Sequence, residues 1–367
     1  AVILVSSLTA LESIPLIALV VFIASMAITH TFLDFIPAFF TSIPDSDTML
    51  STLPAHKYMR EGKVHEAVLL TVIGSLGCLL LTLLFAPAFL WIIGKTYGVL
   101  KKYIGFILIQ TVLFLIFKER GSKVLAFMLF FLSGVLGVIV LDMPIQNPFL
   151  PLFSGLFGLP LLIINVNKKI VIPKQMVTFP TLKMKEAGKT IFTAVCSGAV
   201  FSLLPGMGPS QAAVVGSQFI KIAKSTTLIL LGGINTVNMV VSFLTLYSIN
   251  KARNGAVVAI AKIIPSLDIK LVILFLASSL VAAFVATTLT ITVSKIFAKL
   301  ITKVNYKKLI LTIISAVSGL VFWFTGWVGI VIMITGTCIG LIPNLEQVHR
   351  NHLMGCLLLP IILFFML

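Results

Sequence analysis

The chain consists of long apolar runs separated by short polar stretches. The runs are continuous rather than alternating between apolar and polar residues, which predicts helices and excludes a membrane β-barrel. A helix that crosses a bilayer needs about 20 apolar residues, so some runs cross fully and others form half-spans or hairpins. We predict about ten hydrophobic elements, drawn from residues 14–28, 67–93, 104–117, 124–141, 149–164, 191–204, 211–222, 226–247, 271–296, 309–324, 327–342 and 353–367.

Composition supports the same fold class. Of 367 residues, 59% are hydrophobic and only 10% are charged, and the mean hydropathy is +1.16. A soluble domain carries roughly 25% charged residues. We therefore predict an all-α polytopic membrane protein, located in the cell membrane with many crossings and including broken helices or re-entrant hairpins.

The chain is basic, with 27 Lys and Arg against 11 Asp and Glu. The lysines cluster between apolar runs, where they anchor helix ends at the cytoplasmic face, so we do not expect a nucleic-acid partner. The lysine-rich linker 165–190 predicts a cytoplasmic segment between an N-terminal membrane repeat, 1–164, and a C-terminal one, 191–367. Residues 142–148 and the aromatic "FWFTGW" at 322–327 are expected outside.

One apolar run is interrupted by "LLPGMGPSQAA" at residues 203–213. Pro205 and Pro209 lack a backbone donor, and Gly206 and Gly208 permit bends that other residues resist. This pattern predicts a non-helical turn over residues 203–211 that joins two half-helices. The second half-helix would aim its N-terminus into the protein, where an anion can bind. The alternative is a simple kink between packed helices.

A second interruption covers residues 29–57 and contains Asp34, Asp45 and Asp47. Asp34 lies in an apolar run with His30 one turn earlier, and an ionisable residue at membrane depth is a functional candidate. We expect Asp34 to be shielded from lipid. Asp45 and Asp47, in "PDSDT", are also typical of an ordinary polar turn and helix cap.

A third interruption is predicted within residues 230–255, where Gly232 and Gly233 precede Asn235, Thr236 and Asn238. Amide side chains and freed carbonyls suit a cation or a polar substrate, although hydrogen bonds between packed helices are the alternative. Residues 39–47, "FFTSIPDSD", can be aligned with 244–252, "LTLYSINKA". Paired interrupted segments are typical of a transporter site at a repeat interface, so we expect the three interruptions to converge around one cavity.

Three stretches carry a resemblance to a known family: "THTFLDFIPAFFTSIPDSDTMLSTLPAHKYMREGK", "SGAVFSLLPGMGPSQAA" and "LLGGINTVNMVVSFLTLYSINKARNGAVVAIAKI". They resemble TctA, the permease of tripartite tricarboxylate transporters, and most of all its compact archaeal branch of uncharacterised membrane proteins. The resemblance implies inverted repeats, a small anionic substrate such as a carboxylate, and a coupling cation, Na⁺ or H⁺. Because no Pro-Gly loop precedes Ile14, the first repeat is expected to be truncated at its start.

Carried over by position, the resemblance implies substrate-site residues in three segments. They are Pro205, Gly206, Met207, Gly208, Pro209, Ser210 and Gln211; Pro44, Asp45, Ser46, Asp47 and Thr48; and Ser248 and Asn250. The residues predicted to couple transport to an ion are Asp34, Asn235, Thr236 and Asn238.

These observations favour a secondary transporter of a small organic anion that works by alternating access. The alternative is a translocase of a lipid-linked phosphate such as polyprenyl phosphate, since a helix N-terminus also suits a phosphate. A third possibility is an intramembrane enzyme that holds a divalent metal through Asp45 and Asp47, with His56 or His65 nearby. We expect that the protein is not an enzyme and that it holds no metal and no cofactor beyond the coupling ion. The sequence is compatible with a homo-oligomer. ATP-driven pumping is disfavoured because no G-x-x-x-x-G-K-[ST] stretch is present.

Overall fold

A computed structural model describes residues 15–41, 52–119, 121–166, 173–220, 223–252, 254–264, 267–301 and 305–367 of the chain. Over these residues the regular secondary structure is helical. Eight of the described helical segments are long and apolar enough to cross a membrane. The predicted fold class is therefore confirmed: the protein is an all-α, multi-pass membrane protein.

The α-helices are numbered in chain order. They are α1 (Leu16–Leu33), α2 (Phe35–Thr41), α3 (Thr52–Arg60), α4 (Val64–Leu84), α5 (Ala86–Phe117), α6 (Lys123–Asp142), α7 (Phe149–Phe153), α8 (Leu159–Val166), α9 (Met184–Ser202), α10 (Pro209–Gly216), α11 (Lys224–Ile249), α12 (Gly255–Ile263), α13 (Ile269–Leu300), α14 (Tyr306–Leu345) and α15 (Gly355–Met366). A π-helix (Ser154–Gly158) joins α7 to α8, and a 3-10 helix (Arg350–Met354) precedes α15.

The run predicted as residues 67–93 is divided between two helices. Helix α4 ends at Leu84, and α5 begins at Ala86. Pro87 explains the division, because proline is tolerated in the first turn of a helix but breaks a helix interior. The lysines at 95, 101 and 102 consequently lie within α5 and not in a loop.

The interruption predicted within residues 230–255 lies near the end of that range. Helix α11 runs without a break from Lys224 to Ile249, and the chain leaves the helix at Asn250, whose φ is 50°. The two glycines at 232 and 233 serve close packing instead of a break. The second interruption also begins later than predicted, since the chain is helical through Thr41 apart from a turn at Asp34.

The chain folds into two compact units. The first contains α1 to α4, the part of α5 up to Lys101, α9 to α12, and α13 up to Lys299. Helices α4 and α11 are in close contact there: a methyl group on Gly74 would overlap the carbonyl oxygen of Ile229, and one on Gly232 would overlap that of Thr71. Small residues allow membrane helices to approach this closely.

The second unit contains α5 from Lys102 onward, α6 to α8, α14 and α15. Helix α14 is interrupted at Gly326, whose backbone angles (φ 63°, ψ −158°) are not helical. Ile310 on one side of this break and Met333 on the other both belong to an apolar cluster with Leu159 and Leu162 of α8. The predicted separation of residues 309–324 from 327–342 is therefore confirmed. The division into two repeats at the linker 165–190 stays a prediction.

Candidate substrate site

The predicted turn at "LLPGMGPSQAA" is present and joins two helices. Helix α9 ends at Ser202, residues 203–208 are non-helical, and α10 begins at Pro209. Gly206 makes the turn with a φ of 74°, a conformation that favours glycine. The prediction of a break is confirmed, with the refinement that the last three residues of the predicted turn, 209–211, already form the first turn of α10.

Helix α10 folds back along α9 and forms a hairpin. Gly216, at the end of α10, lies against α9 and against Leu230 of α11. Helix α10 is about 10 Å long between Gly216 and Pro209. Seven residues of α11 cover the same distance, so Pro209 lies about seven residues beyond Leu230 in height. The other arm of the hairpin ends beside Asn238, eight residues beyond Leu230. The tip of the hairpin, defined here as residues 203–211, therefore lies near the height of Asn238.

The tip holds a buried amide that is only partly used. The backbone N–H of Gly208 donates to Oε1 of Gln211 at 2.9 Å, which caps the start of α10. Ser210 and Gln211 are fully buried. Nε2 of Gln211 has no hydrogen-bond partner among the described residues. This donor lies beside the positive end of the α10 dipole, so the tip is suited to a negatively charged or carbonyl-bearing ligand.

The polar residues of α11 divide into two groups. Asn238 accepts a hydrogen bond from Ser202 of α9 at 2.8 Å, and the hydroxyl groups of Thr236 and Thr31 are 3.2 Å apart. These contacts are hydrogen bonds between packed helices, which was the alternative interpretation of the polar patch. Asn235 differs, because its Nδ2 is buried without a partner among the described residues. It is a second buried donor that a ligand oxygen could satisfy.

Asp34 lies at the turn between α1 and α2, one turn after Thr31. Its side chain is 10% exposed, and Oδ1 is 4.0 Å from Nε2 of His30. The expected shielding of this carboxylate is confirmed. Because Thr31 contacts Thr236, the end of α1 approaches the same stretch of α11 as the hairpin tip does. Thr31 and Ser202, which precedes the tip, therefore both contact residues 236–238 of α11. Convergence of the three interrupted segments around one cavity stays a prediction.

Other predicted site residues are not at the tip or cannot be placed. Ser248 is in the last turn of α11, and Asn250 is exposed beyond it. Asn250 is twelve residues from Asn238, about 18 Å along a helix axis. The segment predicted to contribute Pro44, Asp45, Ser46, Asp47 and Thr48 lies outside the described residues. Within the described part of the chain, no three His, Cys, Asp or Glu side chains are grouped to hold a metal ion.

Sequence reasoning did not single out Thr31 and Ser202. Each lies three residues before a residue that it did identify, Asp34 and Pro205 respectively. A hydroxyl residue one turn before a helix break was the available signal, because it can donate to a polar group on a neighbouring helix.

An apolar helical bundle with a broken-helix hairpin and buried amides at its tip defines a polytopic membrane protein with the architecture of a transporter. Comparison with known proteins specifies the family. The model of the tripartite tricarboxylate transporter TctA family matches residues 1–355, and the chain belongs to this family. The predicted family is confirmed.

One curated relative is an uncharacterised protein of Methanocaldococcus jannaschii. It is 31% identical over 356 residues, which cover 94% of this chain and 88% of the relative. No solved structure matches the chain.

Proposed function

We propose that this protein is a secondary transporter that carries a small carboxylate across the membrane by alternating access, coupled to a cation. The family supports transport of this substrate class. The observation that carries the proposal is the buried, unpartnered Nε2 of Gln211 at the first turn of α10. A buried donor without an acceptor costs about 1–3 kcal/mol, and a substrate oxygen would remove that cost.

The chemistry of the tip fits a carboxylate. A carboxylate accepts hydrogen bonds and carries a negative charge, so it gains from both an amide N–H and the start of a helix. Nδ2 of Asn235, near the same height on α11, is a second donor for the same ligand. Asp34, Thr236 and Asn238 lie near this region and remain candidates for the cation, since their oxygens are the ligands that Na⁺ or a proton would use.

The first experiment measures ligand binding by thermal unfolding of the purified protein in detergent. We expect citrate to raise Tm, because a ligand at 100 times its Kd stabilises the folded state by about 2.7 kcal/mol. Gln211→Glu should abolish the shift, since a second carboxylate at the tip repels the substrate. Gln211→Met, which keeps the length and removes the donor, should weaken it.

A matched control is Gln218→Glu, the same change seven residues further on at an exposed position. It should leave the citrate shift unchanged. Equal shifts in Gln211→Glu and Gln218→Glu would remove the tip from the substrate site. Stabilisation by polyprenyl phosphate and not by carboxylates would replace the proposal with the translocase alternative.

A further inference from the structure

His65 is a buried titratable residue outside the substrate site. It lies in the first turn of α4 and is 0% exposed. Nδ1 is 3.0 Å from Oγ of Ser294 on α13. Nε2 is buried and has no hydrogen-bond partner among the described residues. The imidazole therefore joins two helices through one nitrogen and leaves the other unused.

Neither neutral tautomer of His65 satisfies both ring nitrogens. If Nδ1–H donates to Ser294, Nε2 is a buried lone pair without a donor. If Nδ1 accepts from Ser294, Nε2–H is a buried donor without an acceptor. Both arrangements leave an unsatisfied polar atom, which is unusual for a buried side chain. The first arrangement leaves a vacant position for a proton.

The imidazolium form is disfavoured in the packing seen here, because a buried charge without a counter-ion costs several kcal/mol. Lys295 follows Ser294 on α13 and adds positive charge near the ring. The charged and titratable residues on the other elements packed around α4 are also mostly basic. They are His30 and Asp34 on and after α1, Lys57, Tyr58 and Arg60 on α3, Glu61, Lys63 and Glu66 around the start of α4, Lys174 in the segment before α9, Lys185, Glu186 and Lys189 on α9, Tyr247 on α11, and Lys270 and Lys299 on α13.

His65 is placed where protonation would affect the arrangement of helices. The start of α4 is fixed to the segment before α9: Val64 N–H donates to Oε1 of Gln175 at 3.2 Å, and Thr178 donates to Oε2 of Glu66 at 3.1 Å. His65 itself meets α13. A charged imidazole between these elements favours a packing in which α13 moves away and water or an anion reaches Nε2.

We propose that His65 carries the proton that is coupled to substrate movement, an inference that rests on the proposed transport function. A proton from one aqueous side binds Nε2 when α13 has moved away from α4. It is released to the other side when α4 and α13 close to the packing seen here. The neutral imidazole is thus the released state, and one proton crosses per cycle.

The experiment compares two transport modes in proteoliposomes with citrate as the probe. Wild-type protein should exchange internal for external citrate and should accumulate citrate when a pH gradient is imposed. His65→Gln should retain exchange and lose at least tenfold of the gradient-driven accumulation, because a variant without the carrier no longer moves a proton. His349→Gln, a half-exposed histidine of the second unit, should retain both modes.

The proposal would be overturned if His65→Gln still accumulated citrate in response to the pH gradient. It would also be overturned if the variant lost exchange as well as accumulation, because removal of a proton carrier alone spares exchange. Imidazole NMR of the wild-type protein gives a readout that does not depend on citrate. We expect the His65 signal, assigned by its absence in His65→Gln, to change with pH and to shift in Ser294→Ala. If His65 responds to pH but the protein neither binds nor transports citrate, the proposed substrate is refuted and the proton site is not. If the His65 signal does not change with pH, the proton site is refuted.

Discussion

Glu119 holds two connections of the second unit together, and its removal should be costly. It follows α5, and its side chain is 1% exposed. Oε1 accepts hydrogen bonds from Nδ1 of His349 at 2.8 Å and from Gly121 N–H at 3.1 Å. Oε2 accepts from Nε2 of His352 at 2.8 Å and from His349 N–H at 3.1 Å. The carboxylate thus joins the α5–α6 connection to the chain that follows α14.

The stability that Glu119 contributes can be calculated from the preference of its site for the ionised carboxylate. Burial raises the pKa of the Glu119 carboxyl, but the hydrogen bonds from His349, Gly121 and His352 outweigh burial and lower the pKa from 4.5 to about 2. A pKa change of one unit corresponds to 1.36 kcal/mol, so the lowering of the Glu119 pKa from 4.5 to about 2 corresponds to about 3 kcal/mol of stability. Because the folded pKa is the lower one, the contribution is complete well above pH 4.5 and is lost as the pH falls toward 2.

The test is equilibrium unfolding of Glu119→Gln in mixed detergent micelles. We expect the free energy of unfolding to fall by about 3 kcal/mol at pH 7 and by about 1 kcal/mol at pH 3. Glu186→Gln is the control, since Glu186 is exposed and 3.7 Å from Lys183, and exposed ion pairs contribute about 0–1 kcal/mol. A loss for Glu119→Gln that is no larger than the control at pH 7, or that is the same at both pH values, would refute the reasoning.

Three glycine substitutions test the packing and the breaks, each by the change in free energy of unfolding. Gly74→Ala should cost about 1–3 kcal/mol because its methyl group overlaps a backbone carbonyl of α11, whereas Gly94→Ala, with open space around it, should cost nothing. Gly206→Ala should cost about 1–2 kcal/mol because its φ is 74°; an unchanged stability would contradict the turn. Gly326→Ala should cost a similar amount because its φ is 63°, while Gly319→Ala, inside the helix, should stabilise by up to about 1 kcal/mol. If Gly326→Ala stabilised the protein and Gly319→Ala destabilised it, α14 would continue without a break at Gly326.

The sequence predicted the breaks that arise from local backbone chemistry. The turn at Pro205 and Gly206 and the division of α14 at Gly326 depend on residues with unusual backbone preferences, and such preferences can be read without knowing the fold. The boundary between α4 and α5 was missed although Pro87 signalled it. The residues on both sides of Pro87 form a continuous apolar run, and such a run favours a single long helix.

The polar patch and the two glycines on α11 show what local chemistry leaves open. Gly232 and Gly233 could unwind a helix or admit a neighbouring helix, and nothing within α11 distinguishes the two. The deciding contact comes from α4, where Ser75 donates to the carbonyl oxygen of Gly232 across 157 residues of sequence. For the same reason the sequence could identify the polar residues at 235, 236 and 238 as unusual but could not tell which of them would remain without a partner.

The contacts around α11 indicate which parts of the first unit stay together during transport. Glycine contacts fix α11 to α4, and the Ser202–Asn238 hydrogen bond fixes it to the hairpin. Separating α4 from α11 would open a very close helix packing, and breaking the Ser202–Asn238 hydrogen bond would leave buried polar groups unsatisfied. We therefore expect α4, the hairpin and α11 to move as one body. Helix α13 meets this body through aromatic contacts such as Phe275 with Phe243 and through the Ser294–His65 pair. A single protonation can weaken that pair, which makes the α13 contact the place where alternating access would be controlled.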